Sequence, residues 1–125
     1  MAEITTDDLK RFAELIGWTE ITYHESVKSR SYWSAIPPGA KYSREFPNFL
    51  APENLHLVFE GLERFCKKRD WRWILRGAND VVYVCHIKEA RGLGIKEYAY
   101  RYAYTLNAAI IKAILASEKE HDEAG

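Results

Sequence analysis

The side chains best suited to catalysis here are His24, His56 and His86, the serines Ser26, Ser29, Ser31 and Ser34, the carboxylates Glu60 and Glu63, and Cys66 and Cys85. Each group lacks the spacing its chemistry needs. A metal-binding histidine pair sits four residues apart on a helix or on alternate strand positions, and positions 24, 56 and 86 offer neither. A serine nucleophile is held on a sharp glycine-framed elbow, and nothing of that kind frames Ser26 to Ser34. Glu60 and Glu63 share a helix face, as solvated charges commonly do. The cysteines form no C-x-x-C pair, so dithiol and zinc chemistry have no support, and their apolar neighbours fit buried thiols in a reducing compartment. Gly92 and Gly94 are too few and wrongly placed for a phosphate-cradling loop. The expectation is a protein that is not an enzyme, with no catalytic residue, metal or cofactor.

Binding is the better prospect. Residues 25 to 52 read as a long loop around Pro37-Pro38-Gly39, with room for a short strand near Ser31–Ile36, and long loops in compact domains are often functional. This one carries Lys28, Arg30, Tyr32, Trp33, Lys41, Tyr42 and Arg44, followed by Phe46 and Phe49. Cations interleaved with flat rings suit two uses. They can take phosphates while bases stack on the rings, or they can anchor a protein interface, where tryptophan, tyrosine and arginine dominate. The same aromatics could instead pin the loop to the core while the cations face water. The candidate partner-binding residues are therefore Lys28, Arg30, Tyr32, Trp33, Lys41, Tyr42 and Arg44.

The elements that would hold this loop can be read from periodicity. Thr5 or Thr6 can cap a first helix whose face is Leu9, Phe12, Ala13, Leu15 and Ile16, stopped by Gly17. Trp18–His24 alternates as an edge strand. Pro52 opens a second helix with the stripe Leu55, Val58, Phe59, Leu62, Phe65 and Cys66; Lys67-Lys68-Arg69 suits its negative end. Then comes WRWILRGANDVVYVCHIK, Trp71 to Lys88. It is two strands flanking a turn at Gly77-Ala78-Asn79-Asp80, with Trp71, Trp73 and Leu75 on one face and Arg72, Ile74 and Arg76 on the other. The second strand is apolar on both faces, which calls for cover on both. Glu89–Lys96 reads as a loop. Glu97–Lys119 reads as a last helix, apolar around most of its girth, which the N-terminal helix or a second copy must cover. The fold expected is α+β, a small antiparallel sheet of hairpin plus N-terminal strand sandwiched by helices, in the order α-β-loop-α-β-β-α. Residues 1–118 form one domain and 119–125 a frayed acidic tail.

Composition narrows the partners. The chain has 18 basic and 18 acidic residues, which argues against a dedicated duplex-DNA binder. The charge is uneven: residues 28–52 hold four basic against one acidic residue and 71–101 six against three, net +3 each. No apolar run reaches the ~20 residues of a membrane helix, and the acidic start lacks a secretory core. A cytoplasmic protein without a membrane partner is expected, self-associating as a homodimer or higher oligomer through its last helix.

The second half resembles the small phage "ABA sandwich" domain proteins, encoded by phages and prophages. The resemblance runs from Asn54-Leu55 through Trp71-Arg72-Trp73 and Tyr83-Val84-Cys85 to the Ala108–Ala116 helix, about half the chain. It implies a sheet between helical layers and a phage or prophage accessory protein in the bacterial cytoplasm. Such proteins often bind a host component, many of them antagonising defence systems. The expected partner is then a host defence protein, reached without catalysis. The alternatives are sequestration of a nucleotide-like anion and a structural, oligomeric phage role.

Overall fold

The computed structural model describes residues 3–77, 82–91 and 94–124. The first helix, α1 (Thr6–Leu15), begins on a capping box. The Thr5 hydroxyl accepts from the Asp8 amide at 3.1 Å and the Asp8 carboxylate accepts from the Thr5 amide at 2.9 Å, satisfying orphan donors of the first turn. Its end turns at Gly17, where φ is +103°, a conformation glycine adopts without strain. Two short cross-ties then fix α1. Arg64 donates twice to the Ile16 carbonyl, at 3.1 and 3.0 Å. Gly61 lets Ile16 approach so closely that an added Cβ would lie 2.6 Å from Ile16 Cδ1.

A three-stranded antiparallel sheet follows, with β1 (Thr19–His24), β2 (Tyr32–Ile36) and β3 (Arg44–Glu45) in chain order. Within the segment expected as a long loop, Tyr32–Ile36 and Arg44–Glu45 are strands, and the rest up to Ala51, the Pro-Pro-Gly turn included, is loop as expected; only the strand near Ser31–Ile36 was legible. The N-terminal strand pairs with β2 rather than with the hairpin. This first sheet contributes only Ala35 and Ser34 to the buried set. Phe46 and Phe49, just beyond it, meet Trp18 edge-to-face at 6.3 and 5.6 Å.

A single 3-10 turn at Pro52–Asn54 leads into α2 (Leu55–Arg69). Val58, Leu62, Phe65 and Cys66 are buried along the expected stripe. The helix ends on Asp70 in the left-handed region, φ 57°, and Arg69 donates to the Phe65 carbonyl at 3.1 Å.

The second sheet is the hairpin with a third strand. β4 (Arg72–Gly77) pairs with β5 (Tyr83–Arg91), and β5 with β6 (Gly94–Ala103), all antiparallel. Trp73 faces Ile87 and Leu75 faces Cys85, in the alternation expected. The turn residues Ala78, Asn79 and Asp80 lie outside the described residues. Glu89–Lys96 is not a loop: pairing continues to Arg91 and Gly94, and Gly92 and Leu93 lie outside the described residues.

The largest correction concerns the last helix. It starts at Leu106, not Glu97, and runs as α3 to Ala124, beyond Lys119. Residues 97–103 belong to the strand β6, because Glu97 and Ala99 to Ala103 pair edge-on with β5. Tyrosine favours a pleated surface, and that preference outweighs the helix-forming Ala99 and Ala103. The apolar girth that motivated a second copy shrinks accordingly. Ala109, Ile110, Ile111, Ala113 and Ile114 are fully buried, and α1, α2, β5 and β6 all pack on α3. The N-terminal helix is part of that cover.

The α+β class therefore holds, with helices flanking an antiparallel sheet. Helix α2 reaches the second sheet through Phe59 on Trp73, at 5.2 Å, and Phe65 on Trp71, at 5.7 Å. Both tryptophans belong to the same sheet face, so α2 and α3 share one side. Asn107 clamps this layer, donating to the carbonyls of Phe49 and Ala51 at 2.9 and 3.0 Å.

Candidate functional site

The candidate residues from the sequence all fall on or beside the first sheet, but they do not converge. Tyr32 and Trp33 are neighbours on β2 and so project to opposite faces. Tyr32 stacks on His24 at 4.8 Å, and His24 Nε2 lies 2.6 Å from the Ser34 hydroxyl. Trp33 turns the other way, against Tyr23 at 5.0 Å, with the Lys10 ammonium over its ring at 4.4 Å. Arg44 pairs in register with Ala35, on the Trp33 side. Arg30 is in an ion pair with Glu45. Lys28, Lys41 and Tyr42 are exposed, Tyr42 at 84%. Beside them Tyr23 is 50% exposed and Val27 wholly so. The result is an apolar and aromatic surface dotted with cations rather than a pocket.

Sequence reading missed a second surface. Behind the helices, the opposite face of the second sheet carries Arg72, Ile74 and Arg76 from β4, Val84, His86 and Lys88 from β5, and Tyr100 and Tyr102 from β6, aligned by register. Ile74 is 40%, Tyr100 44% and Tyr102 53% exposed. Arg76 sits over Tyr100, its guanidinium 5.9 Å from the ring centroid and 3.4 Å from the phenol oxygen. The His86 ring meets Tyr100 edge-on at 5.3 Å. His86 Nε2 is shut from solvent without a hydrogen bond, 3.4 Å from the Glu97 carboxylate. The alternation of Arg72, Ile74 and Arg76 was legible, and Val84, which β5 places on this same face, is buried, as the apolar second strand led one to expect. Tyr100 and Tyr102 were hidden inside the supposed helix, and their period of two was the signal that could have found them.

A bulge makes this face. Between Ile87 and Lys88 the partner strand advances from Ala99 to Glu97, so Tyr98 is one residue extra. Tyr98 turns inward, stacks on Trp71 at 4.0 Å and donates to buried Glu89, while Tyr100 and Tyr102 remain outside.

Two clefts complete the surface. One of about 430 Å3 lies between the start of α1, α3 and the end of β6, floored by Ile4, Leu115 and Ala116, edged by Tyr102, and rimmed by Glu3 and Asp8 as well as Arg101, Lys112 and Lys119. The other, about 500 Å3, runs between α2 and Trp71 and Trp73. Cys66 and Cys85 are buried free thiols. Burial pushes both from the usual 9.0 up to about 12; Arg69 pulls against this at Cys66, and Cys66 adds to it at Cys85. Neither is a reactive thiolate. Among the described residues no cluster of three histidine, cysteine or acidic side chains could hold a metal, and no helix is long and apolar enough to cross a membrane.

No family model, curated protein or solved structure matches the chain.

Proposed function

We propose that this chain is a phage or prophage accessory protein that works by binding a protein of the bacterial host, a defence component being the foremost candidate, and that it performs no catalysis. The resemblance of residues 54–116 to ABA sandwich proteins supplies the setting. The surface supplies the mode. A sheet that buries only Ala35 and Ser34, while it exposes Tyr23 and Tyr32 and its connecting loops expose Val27 and Tyr42, contributes little to the core, and its cost in chain ordering fits a use in recognition. That exposure is the observation carrying the proposal.

The rival use of this sheet, capture of a nucleotide-like anion, is weaker. Arg30 already has a carboxylate partner in Glu45. Trp33 already has Lys10 on its ring. A protein partner needs neither group free, since aromatic anchors and rim cations suffice.

The test is capture from a bacterial lysate, followed by calorimetry with the purified partner. Tyr32→Ala combined with Tyr42→Ala should weaken binding by about 2 kcal/mol or more, with the thermal melt nearly unchanged. Wild-type affinity in that variant would remove the first sheet from the interface.

A further inference from the structure

We propose that the open face of the second sheet is a binding surface for single-stranded nucleic acid, independent of the first sheet and of its protein partner. Three features of the face fit this ligand. The first is the rings. Tyr100 and Tyr102 occupy alternate positions of one strand and are 44% and 53% exposed. Alternate positions lie ~6.8 Å apart along a strand, twice the ~3.4 Å rise of stacked bases in a duplex. Two unstacked bases can therefore each find a ring. Open sheets that present aromatic side chains recognise single strands in this way.

The second is charge. Arg72, Arg76 and Lys88 stand on the same face, with Glu97 the one acidic side chain that the register places there among the described residues. Arg76 lies over Tyr100, where a guanidinium can stack beside a base and still reach a phosphate. Neither Arg72 nor Lys88 is held in an ion pair by a described residue. The third is shape. Apart from the cleft that Tyr102 edges beside α3, the face is a surface rather than a pocket, and small ligands need concavity, whereas an extended strand lies flat across a sheet.

The same features disfavour a second copy of this chain. A two-fold interface brings one patch against itself, and here that would set Arg72, Arg76 and Lys88 against the same cations. A duplex is disfavoured as well, because its bases are stacked away from the tyrosines and the chain as a whole has no basic excess.

The test is fluorescence anisotropy with short labelled oligo(U) and oligo(dT), with a duplex of equal length and with UMP as competitors. Binding of the single strands is expected, with the duplex and UMP competing weakly. Raising salt from about 50 to about 200 mM should weaken binding roughly 7- to 20-fold, the range for two or three phosphate contacts on a single strand. Tyr100→Ala with Tyr102→Ala should weaken it at least ~10-fold, while the paired Tyr→Phe change, which keeps the rings, stays close to wild type. A thermal melt of each variant separates loss of fold from loss of binding, and Arg72→Ala with Lys88→Ala gives a second probe, expected to flatten the salt dependence. Any of three results overturns the proposal: no anisotropy change at high protein concentration, Ala variants that fold and bind as wild type, or UMP competing as well as the oligomer.

Discussion

The two sheets of this protein solve the same problem in opposite ways. Each has three antiparallel strands and exposed tyrosines. The second is anchored by its inner face: Cys85 and Ile87 are fully buried and Trp71 nearly so, under α2 and α3. The first has no such inner face. It is held by its ends, through Trp18, Phe46 and Phe49, and by side chains that pair within it, Tyr23 with Trp33 and His24 with Tyr32. Stability concentrates in one sheet, and the other is free to vary its surface.

This contrast can be broken by mutation. Ile87→Ala, on the anchored face, should destabilise the fold by about 3–4 kcal/mol, whereas Tyr32→Ala should cost under about 1 kcal/mol. Denaturant melts giving similar losses would mean that both sheets belong to the core. Asn107→Ala probes the junction where α3 holds the chain leaving the first sheet. It strips the donor from two carbonyls and should cost about 2–3 kcal/mol; a loss near zero would show that the junction carries no load.

Alkaline pH sharpens the comparison, because both thiols lie against the anchored sheet. Their folded values, about 12, exceed the unfolded 9.0. Above pH 9 the unfolded chain loses protons that the folded chain keeps, so stability falls as pH rises toward 12. The slope is up to about 1.4 kcal/mol per pH unit for each thiol. Wild type and Cys66→Ala/Cys85→Ala compared by urea melts at rising pH should converge; parallel curves would refute the linkage. The smallest effect belongs to the first sheet. Glu45→Gln removes the Arg30 ion pair, whose members are 77% and 54% exposed, and should change stability by less than about 1 kcal/mol.

Much of the anchored half was legible in the sequence. The α2 stripe and the Trp73–Leu75 alternation each repeat one period long enough to fix a face. β6 was not legible, because Ala99 and Ala103 and the adjoining apolar run continue a helical reading across the strand. The bulge deepened the confusion: Tyr98 is buried while Tyr100 and Tyr102, of the same parity, are exposed. The candidate site failed to gather for a simpler reason. Composition groups Arg30, Tyr32, Trp33 and Arg44, but adjacent strand residues part to opposite faces, and composition carries no facing.

The bulge at Tyr98 has a further consequence, best described as a dislocation. β6 contains one row more than the strand beside it, and the mismatch is absorbed at a single point. Inserting or deleting a residue between Gly94 and Glu97 would shift only the distal end of the hairpin, leaving Tyr100 and Tyr102 in register with His86 and Val84. Inserting or deleting one residue between Ala99 and Ala103 would instead turn each tyrosine beyond it to the other face of the sheet. The strand thus has a tolerant segment and an intolerant one, and variation in hairpin length can accumulate in the first without disturbing the surface carried by the second.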